Sequence, residues 1–357
     1  MVRTDPIRLG LVGIGRAGWG MHGLELEGKE DKFRFVAACD ILADRRERMA
    51  QKYGCKTYKR IEDLVADPEV EMVDIATRSV DHFAHAAVAL KAGKDVFLEK
   101  PMCATYAEAK RLVALAAKSK GNLYIRQNRR TEPAFLHIRQ IIASGILGDV
   151  YEIKLARVSY SRRDDWQTLT RFGGGQLLNW GPHIVDHALQ LLEAPVESQW
   201  SERKRIAAVG DAEDYFKIIL RGTNGRIVEA QISGGAAVPI AEWVIWGTRG
   251  GLVCTGNRIT VRYLDPKVKL PPRKVKPGAP GTTSFGTPEE LPWIEQTFEA
   301  HPENPWDIWD ALYSAVRQGT RLPIALNEVL EVMKFISSAK KGARFQTAAR
   351  RPRRRSG

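Results

Sequence analysis

Short apolar runs alternate with longer amphipathic stretches over the first third of the chain. Ile7 to Val12, Phe33 to Cys39, Met72 to Ala76, the run ending Val96-Phe97-Leu98-Glu99, and Leu123 to Ile125 read as strands. Between them, a segment through Leu26, Leu42 to Tyr53, Ile61 to Val65, Val80 to Lys91 and Ala107 to Lys118 carry helical spacing. Thr105-Tyr106-Ala107-Glu108 supplies the cap and first turn of the last of these. Strands separated by helices of such length predict right-handed parallel βαβ units in a doubly wound sheet.

From Asp149 the period changes to two. Val150 to Val158, Glu197 to Ala208, Tyr215 to Arg221, Ile227 to Ile232, Ala241 to Trp246, Gly250 to Thr255 and Ile259 to Leu264 alternate apolar and polar positions. Tight turns such as Gly222-Thr223-Asn224-Gly225 divide them, which predicts antiparallel pairing. Pro266 to Pro288, rich in Pro, Gly and Lys, reads as a long surface loop. Helices are expected at Leu291 to Ala300, Pro305 to Gln318 and Asn327 to Ala339. The fold expected is a dinucleotide-binding α/β domain over residues 1–127, then an α+β domain on a large, mostly antiparallel sheet over 128–345, then a basic, disordered tail over 346–357.

Length and composition fit two soluble globular domains: 357 residues, 44% hydrophobic and 27% charged. The formal charge of +13 owes much to Arg350, Arg351, Arg353, Arg354 and Arg355 at the extreme end. It therefore does not direct the chain to nucleic acid. Four cysteines without close pairing argue against a disulfide framework or zinc ribbon. No signal core or membrane-length apolar run is seen, so the cytoplasm is the expected compartment.

Chemistry enters at the strand ends. Ile7 to Val12 runs into Gly13-Ile14-Gly15-Arg16-Ala17-Gly18, in the strand, glycine turn and helix order of a dinucleotide fingerprint. Gly13 suits the tight turn, Gly15 the approach of a pyrophosphate, and Gly18 the packing of helix on strand. Asp40 ends the second strand 22 residues after Gly18, where a carboxylate accepts from ribose hydroxyls and favours NAD. Alternatively it caps the next helix, and Arg45 and Arg46 keep NADP open. Thr77-Arg78 and Glu99-Lys100-Pro101 lie at carboxyl ends of later strands, facing the same edge. Arg78 suits a cofactor phosphate, an acidic substrate or a solvated loop, and His82 lies where it can cap a pocket.

Pro182 opens a helix whose stripe is Ile184, Val185, Ala188, Leu191 and Leu192. His183 lies roughly 150° from that stripe, which argues against a core histidine. Asp186 and His187 share its side, but neither the zinc-helix pattern nor a cysteine cluster is present, so no metal is expected. Upstream, Tyr160, Asp164, Asp165 and Trp166 offer the aromatic faces and carboxylates that suit a sugar.

The sequence resembles the Gfo/Idh/MocA family, the glucose-fructose oxidoreductase and inositol dehydrogenase-like group. The resemblance rests on Gly13 to Gly18, Asp40, Ala76-Thr77 with His82, Glu99-Lys100-Pro101, Gln127-Asn128-Arg129-Arg130 with Pro133, Gly173 to Gly175, Gly181, His183 and Asp186, and Asp310-Ala311-Leu312 with Gly319. It implies a Rossmann domain, a nicotinamide cofactor and a carbohydrate or polyol substrate. Lys100 would touch substrate and cofactor ribose, and His183 would exchange the proton. Asn128, Glu99, Thr77 and Arg78 join the cofactor set, and Arg129, Asn179, Tyr160, Asp165, Trp166 and Asp186 the substrate set. Asn179 stands where relatives usually carry Asp, which bears on which sugar is taken rather than on the reaction class. A homodimer or homotetramer through the large sheet is also implied. Two other readings are an NAD-retaining glycoside hydrolase or lyase using transient oxidation, and a non-catalytic dinucleotide-binding protein.

Overall fold

The computed structural model describes residues 3–275, 277–278, 289–342 and 346–347. Six parallel strands form the first sheet: β1 (Ile7–Val12), β2 (Phe33–Cys39), β3 (Lys56–Tyr58), β4 (Met72–Ile75), β5 (Asp95–Glu99) and β6 (Leu123–Arg126). Their order is β3-β2-β1-β4-β5-β6. The order reverses between β1 and β4, so a crevice opens beyond their carboxyl ends. Leu9, Leu11, Val73, Ile75, Phe97 and Leu98 are fully buried because helices cover both faces, which explains why these strands read as apolar runs. The three-residue β3 escaped the sequence pattern.

The second sheet has nine strands: β7 (Val150–Val158), β8 (Val196–Arg205), β9 (Tyr215–Gly222), β10 (Ile227–Ser233), β11 (Trp243–Gly247), β12 (Gly250–Thr255), β13 (Arg258–Leu264), β14 (Trp293–Glu299) and β15 (Gln346–Thr347). Neighbours are antiparallel except β7 with β10 and β8 with β15. Ile218, Ala230, Leu155, Trp243, Cys254 and Ile259 line up across the sheet and are buried beneath helices. The opposite face carries Trp200, Ile219, Glu229, Lys154, Val244 and Val253 in register.

Two expectations are corrected. Trp293–Glu299 is a strand, not part of a helix over Leu291 to Ala300; it pairs with β13 along all seven residues. The β-branched and aromatic residues Ile294, Thr297 and Phe298 suit an open sheet edge, and that long-range pairing decides the conformation. Gln346–Thr347, assigned to the tail, instead pairs with β8; residues 348–357 lie outside the described residues, as do 279–288 of the expected loop. The helix Ile308–Gln318 returns to the first domain, where Trp309 meets Phe33 and Phe97 edge-on and Arg317 reaches Glu71 at 2.8 Å. Among the described residues no helix is long and apolar enough to cross a membrane.

Candidate active site

The turn after β1 is shaped by what glycine leaves out. Gly13 has φ 94°, and a Cβ there would lie 2.8 Å from the Ala76 carbonyl oxygen. A Cβ on Gly18 would lie 2.1 Å from the Gly13 carbonyl oxygen, so helix and strand close only because it is missing. The chain leaves the turn as a π-helix, Gly18–His22, continuing into Gly23–Glu25. Asp40 lines the cavity, and its carboxylate accepts the Leu42 N–H at 3.0 Å just ahead of the next helix, whose N-terminus carries no side-chain cap. It also accepts the Ile14 N–H at 2.9 Å, with Arg45 at 3.3 Å.

A cavity of about 1220 Å³ runs from this turn to His183. Gly13, Gly15, Arg16, Ala17 and Asp40 line one end. Thr77, Arg78, His82, Glu99, Lys100, Asn128 and Arg129 line its middle. Asp165, Trp166, Asn179 and His183 close it from the second domain. Ile14 turns its side chain into the core, and Gly18 acts through packing alone.

Beneath Lys100 lies a network the sequence reading missed. His22, fully buried, bonds Asp74 through Nδ1 at 2.8 Å and Glu99 through Nε2 at 3.0 Å. Arg126 donates to Glu99 at 2.7 Å and to Glu25 at 2.6 Å, and Trp309 Nε1 donates to Glu25 at 2.7 Å. The other Glu99 oxygen accepts the Lys100 N–H at 3.0 Å. Burial opposes charge on His22, but Asp74 above all raises its pKa to about 9. Burial would likewise raise Glu99, yet Arg126 and His22 hold it well below the carboxylate range. His82 joins two strand ends, its ring nitrogens facing the carbonyls of Pro101 at 2.7 Å and Thr77 at 3.2 Å; the Lys100–Pro101 peptide is cis.

Lys100 extends its ammonium to the Asn179 carbonyl at 3.0 Å, spanning the two domains. Burial first, then Arg129 and Arg126, lowers its pKa, with Glu99 opposing. His183 is 6% exposed and its pKa lies well below 6.5, through burial and then the charges of Lys100 and Arg129. Six of the seven histidines give a ring nitrogen to another group of the protein; neither ring nitrogen of His183 has a partner among the described residues. The Asn179 carboxamide exchanges hydrogen bonds with Gln167 at 3.3 and 3.4 Å. Arg129 lies with its guanidinium 4.3 Å from the Trp180 ring centroid and pairs with Glu132.

Two expected substrate contacts lie elsewhere. Asp186 is 2% exposed and pairs with Arg130 at 2.5 and 2.8 Å, away from the cavity. Tyr160 is 61% exposed and lines no part of the cavity, because its strand-like pairing with Gly235 turns the ring to solvent. His187 stacks on Phe135 at 3.9 Å and bonds the Arg129 carbonyl, so of the three polar residues on that helix side two are engaged within the protein and His183 alone faces the cavity with its ring nitrogens unpartnered among the described residues. Among the described residues no group of three or more metal-ligating side chains assembles. Arg126 was legible in principle, as a charge ending the apolar run Leu123 to Ile125; Gln167 and Trp180 carried no sequence signal.

Residues 7–127 match the family described as an oxidoreductase family with an NAD-binding Rossmann fold, and residues 135–253 match the GFO/IDH/MocA C-terminal domain. An uncharacterised oxidoreductase of Schizosaccharomyces pombe is 30% identical over 70% of this chain and 71% of its own length. The chain belongs to the Gfo/Idh/MocA family. Another member, the NADP-dependent scyllo-inositol 2-dehydrogenase of Bacillus subtilis, is 25% identical over 94% of each chain. The solved structure of an NAD-binding protein from Listeria innocua superposes with a TM-score of 0.79, at 24% identity and 95% coverage of both chains. Membership makes this chain an NAD(P)-dependent oxidoreductase. The cavity fits that cofactor: it is dinucleotide-sized, begins at a turn a Cβ would fill, and has Arg16 and Arg78 without a carboxylate partner among the described residues.

Proposed function

We propose that this Gfo/Idh/MocA protein oxidises a secondary alcohol of a sugar, glycoside or polyol, or reduces the corresponding ketone. The single observation that carries this reading is the unengaged imidazole of His183 in one cavity with the Lys100 ammonium and the glycine turn. Gly13, Gly15, Arg16 and Ala17 would hold the pyrophosphate, Asp40 the adenosine ribose, and Thr77, Arg78 and Asn128 the nicotinamide end. When bound, the nicotinamide supplies the hydride acceptor or donor.

The side chains do the rest. Neutral His183 takes the hydroxyl proton at a ring nitrogen, while the Lys100 ammonium polarises the same oxygen and stabilises the alkoxide that develops. Asn179 and Gln167 orient neighbouring hydroxyls, and Trp166 gives an apolar face for ring C–H groups. Inositol dehydrogenases among the relatives agree with a polyhydroxylated substrate. The exposed Trp200, Trp246 and Val253, with half-buried Val244 on the same face, support a homodimer or homotetramer through the large sheet.

The test is a panel of sugars, glycosides and polyols offered with NAD and with NADP, read as reduced-nicotinamide absorbance. Reduction with at least one member is expected. Product release from a nitrophenyl glycoside with no net nicotinamide reduction would replace this reading with a hydrolytic one.

A further inference from the structure

Beside the cavity that holds Lys100 and His183 lies a second one, of about 250 Å³. Arg163, Gln167 and Trp180 line both, so the two are neighbours across those side chains. A space of this size far exceeds the ~30 Å³ that one water occupies in the liquid. Its rim is the exposed pair Ser159 and Ser161, and Gln176 lies within.

Its charges are already spent on the protein. Arg157 pairs with Glu132 at 3.0 Å and Glu242 at 3.2 Å, and Arg163 with Asp165 at 2.6 Å. Glu213 accepts the Leu177 N–H at 3.1 Å and faces Arg203 at 3.6 Å. Asp214 accepts the N–H groups of Ile206, Ala207 and Ala208 at 2.6–2.7 Å. What remains unspent is neutral. Oε1 of Gln176 is buried with no partner, and the hydroxyls of Ser159 and Ser161 make no hydrogen bond among the described residues. An ion would find no counter-charge there, and an apolar group would leave the Gln176 oxygen desolvated and unpaired. A hydroxyl-bearing neutral group satisfies it.

We propose that this second cavity is a subsite for a neutral hydroxylated ring joined to the ring that reacts, so that the preferred substrate is a glycoside or disaccharide rather than a free sugar or cyclitol. The inference rests on the redox reading above for what happens next door, but the subsite itself is a matter of binding.

The experiment compares kcat/KM for free hexoses with that for maltose, cellobiose and lactose, in the wild type and in Ser161→Trp, which fills the rim, and Gln176→Leu, which removes the unpaired acceptor. Disaccharides are expected to exceed the free sugars by about tenfold or more, and each variant to cut that ratio by about tenfold. A ratio near one, or one that neither variant moves, overturns the subsite. Saturation-transfer NMR of the same disaccharides on the protein holding NAD separates the two ideas. Binding without turnover that Ser161→Trp abolishes keeps the subsite, and removes the redox reading when the whole panel of sugars, glycosides and polyols is also left unoxidised; no binding removes the subsite, whatever free sugars do.

Discussion

Behind Lys100, the ionisable His22, Asp74, Glu99 and Arg126 are at most 5% exposed and locked to one another. Across the same cavity, Asn179, Gln167 and Trp166 are neutral and partly exposed, and Arg163 is neutralised by Asp165. The first wall holds a single group in one place, whatever the substrate. The second presents many weak partners that a small change of sequence can rearrange. On the proposed function, the support of Lys100 lies on one domain, while His183 and the groups that would select the substrate lie on the other.

Removing the groups at the centre tests that separation most severely. Lys100→Ala and His183→Ala should each lower kcat by about a thousandfold, with cofactor affinity, followed by fluorescence titration, changed far less in His183→Ala. Comparable activity in either variant would dissolve the contrast between a chemical wall and a selective one.

The next largest effect concerns the buried lattice. Both ring nitrogens of His22 face carboxylate oxygens, and only imidazolium can donate to both. Its raised pKa of about 9 means that the stabilisation is complete below pH 6.5 and drains away as pH rises through 9. The amount is roughly 3 kcal/mol. His22→Ala should cost a similar ~3–5 kcal/mol by leaving Asp74 and Glu99 uncompensated, and should flatten the alkaline fall of the melting temperature. A wild-type melting temperature that does not decline between pH 8 and 10 would count against the charged state.

The sequence exposed the first wall's outline and hid its support. Continuous apolar strands, the glycine turn and the Lys100 corner depend on local geometry, so they are readable along the chain. His22 is not, because its partners sit 52 and 77 residues away and meet only when β4 and β5 lie side by side. The helix assigned to Trp293–Glu299 failed for a related reason: an edge strand gets its identity from the neighbour it pairs with. On the second domain, helical periodicity set His183 apart from the apolar stripe, but it could not tell that nearly the whole helix is buried or that Asp186 on the same side finds Arg130.

That misplaced residue gives a sharper test of moderate size. Asp186→Asn should weaken the Arg130 pair and cost ~1–3 kcal/mol of stability, read by denaturant melts. KM should stay within about twofold, since Asp186 lies off the cavity. A large KM change with unaltered stability would return Asp186 to the substrate wall.

The smallest expected effect bears on the selective wall itself. Burial and the nearby cations keep His183 neutral to well below pH 6.5, so the wild-type kcat/KM for alcohol oxidation should show no acid limb near that pH. Asn179→Asp places a carboxylate beside Gln167, next to Lys100's anchor and four residues from His183. A negative charge there favours imidazolium, so the pKa of His183 must rise and the acid limb must move to higher pH, by about one unit for a partly exposed neighbour. The same charge draws on the Lys100 ammonium and moves the alkaline limb up as well. If both limbs stay fixed while the order of preferred substrates changes, Asn179 acts on selection alone and the two walls are as separate as their packing suggests; if both limbs move, the residue type at this position also tunes the chemistry.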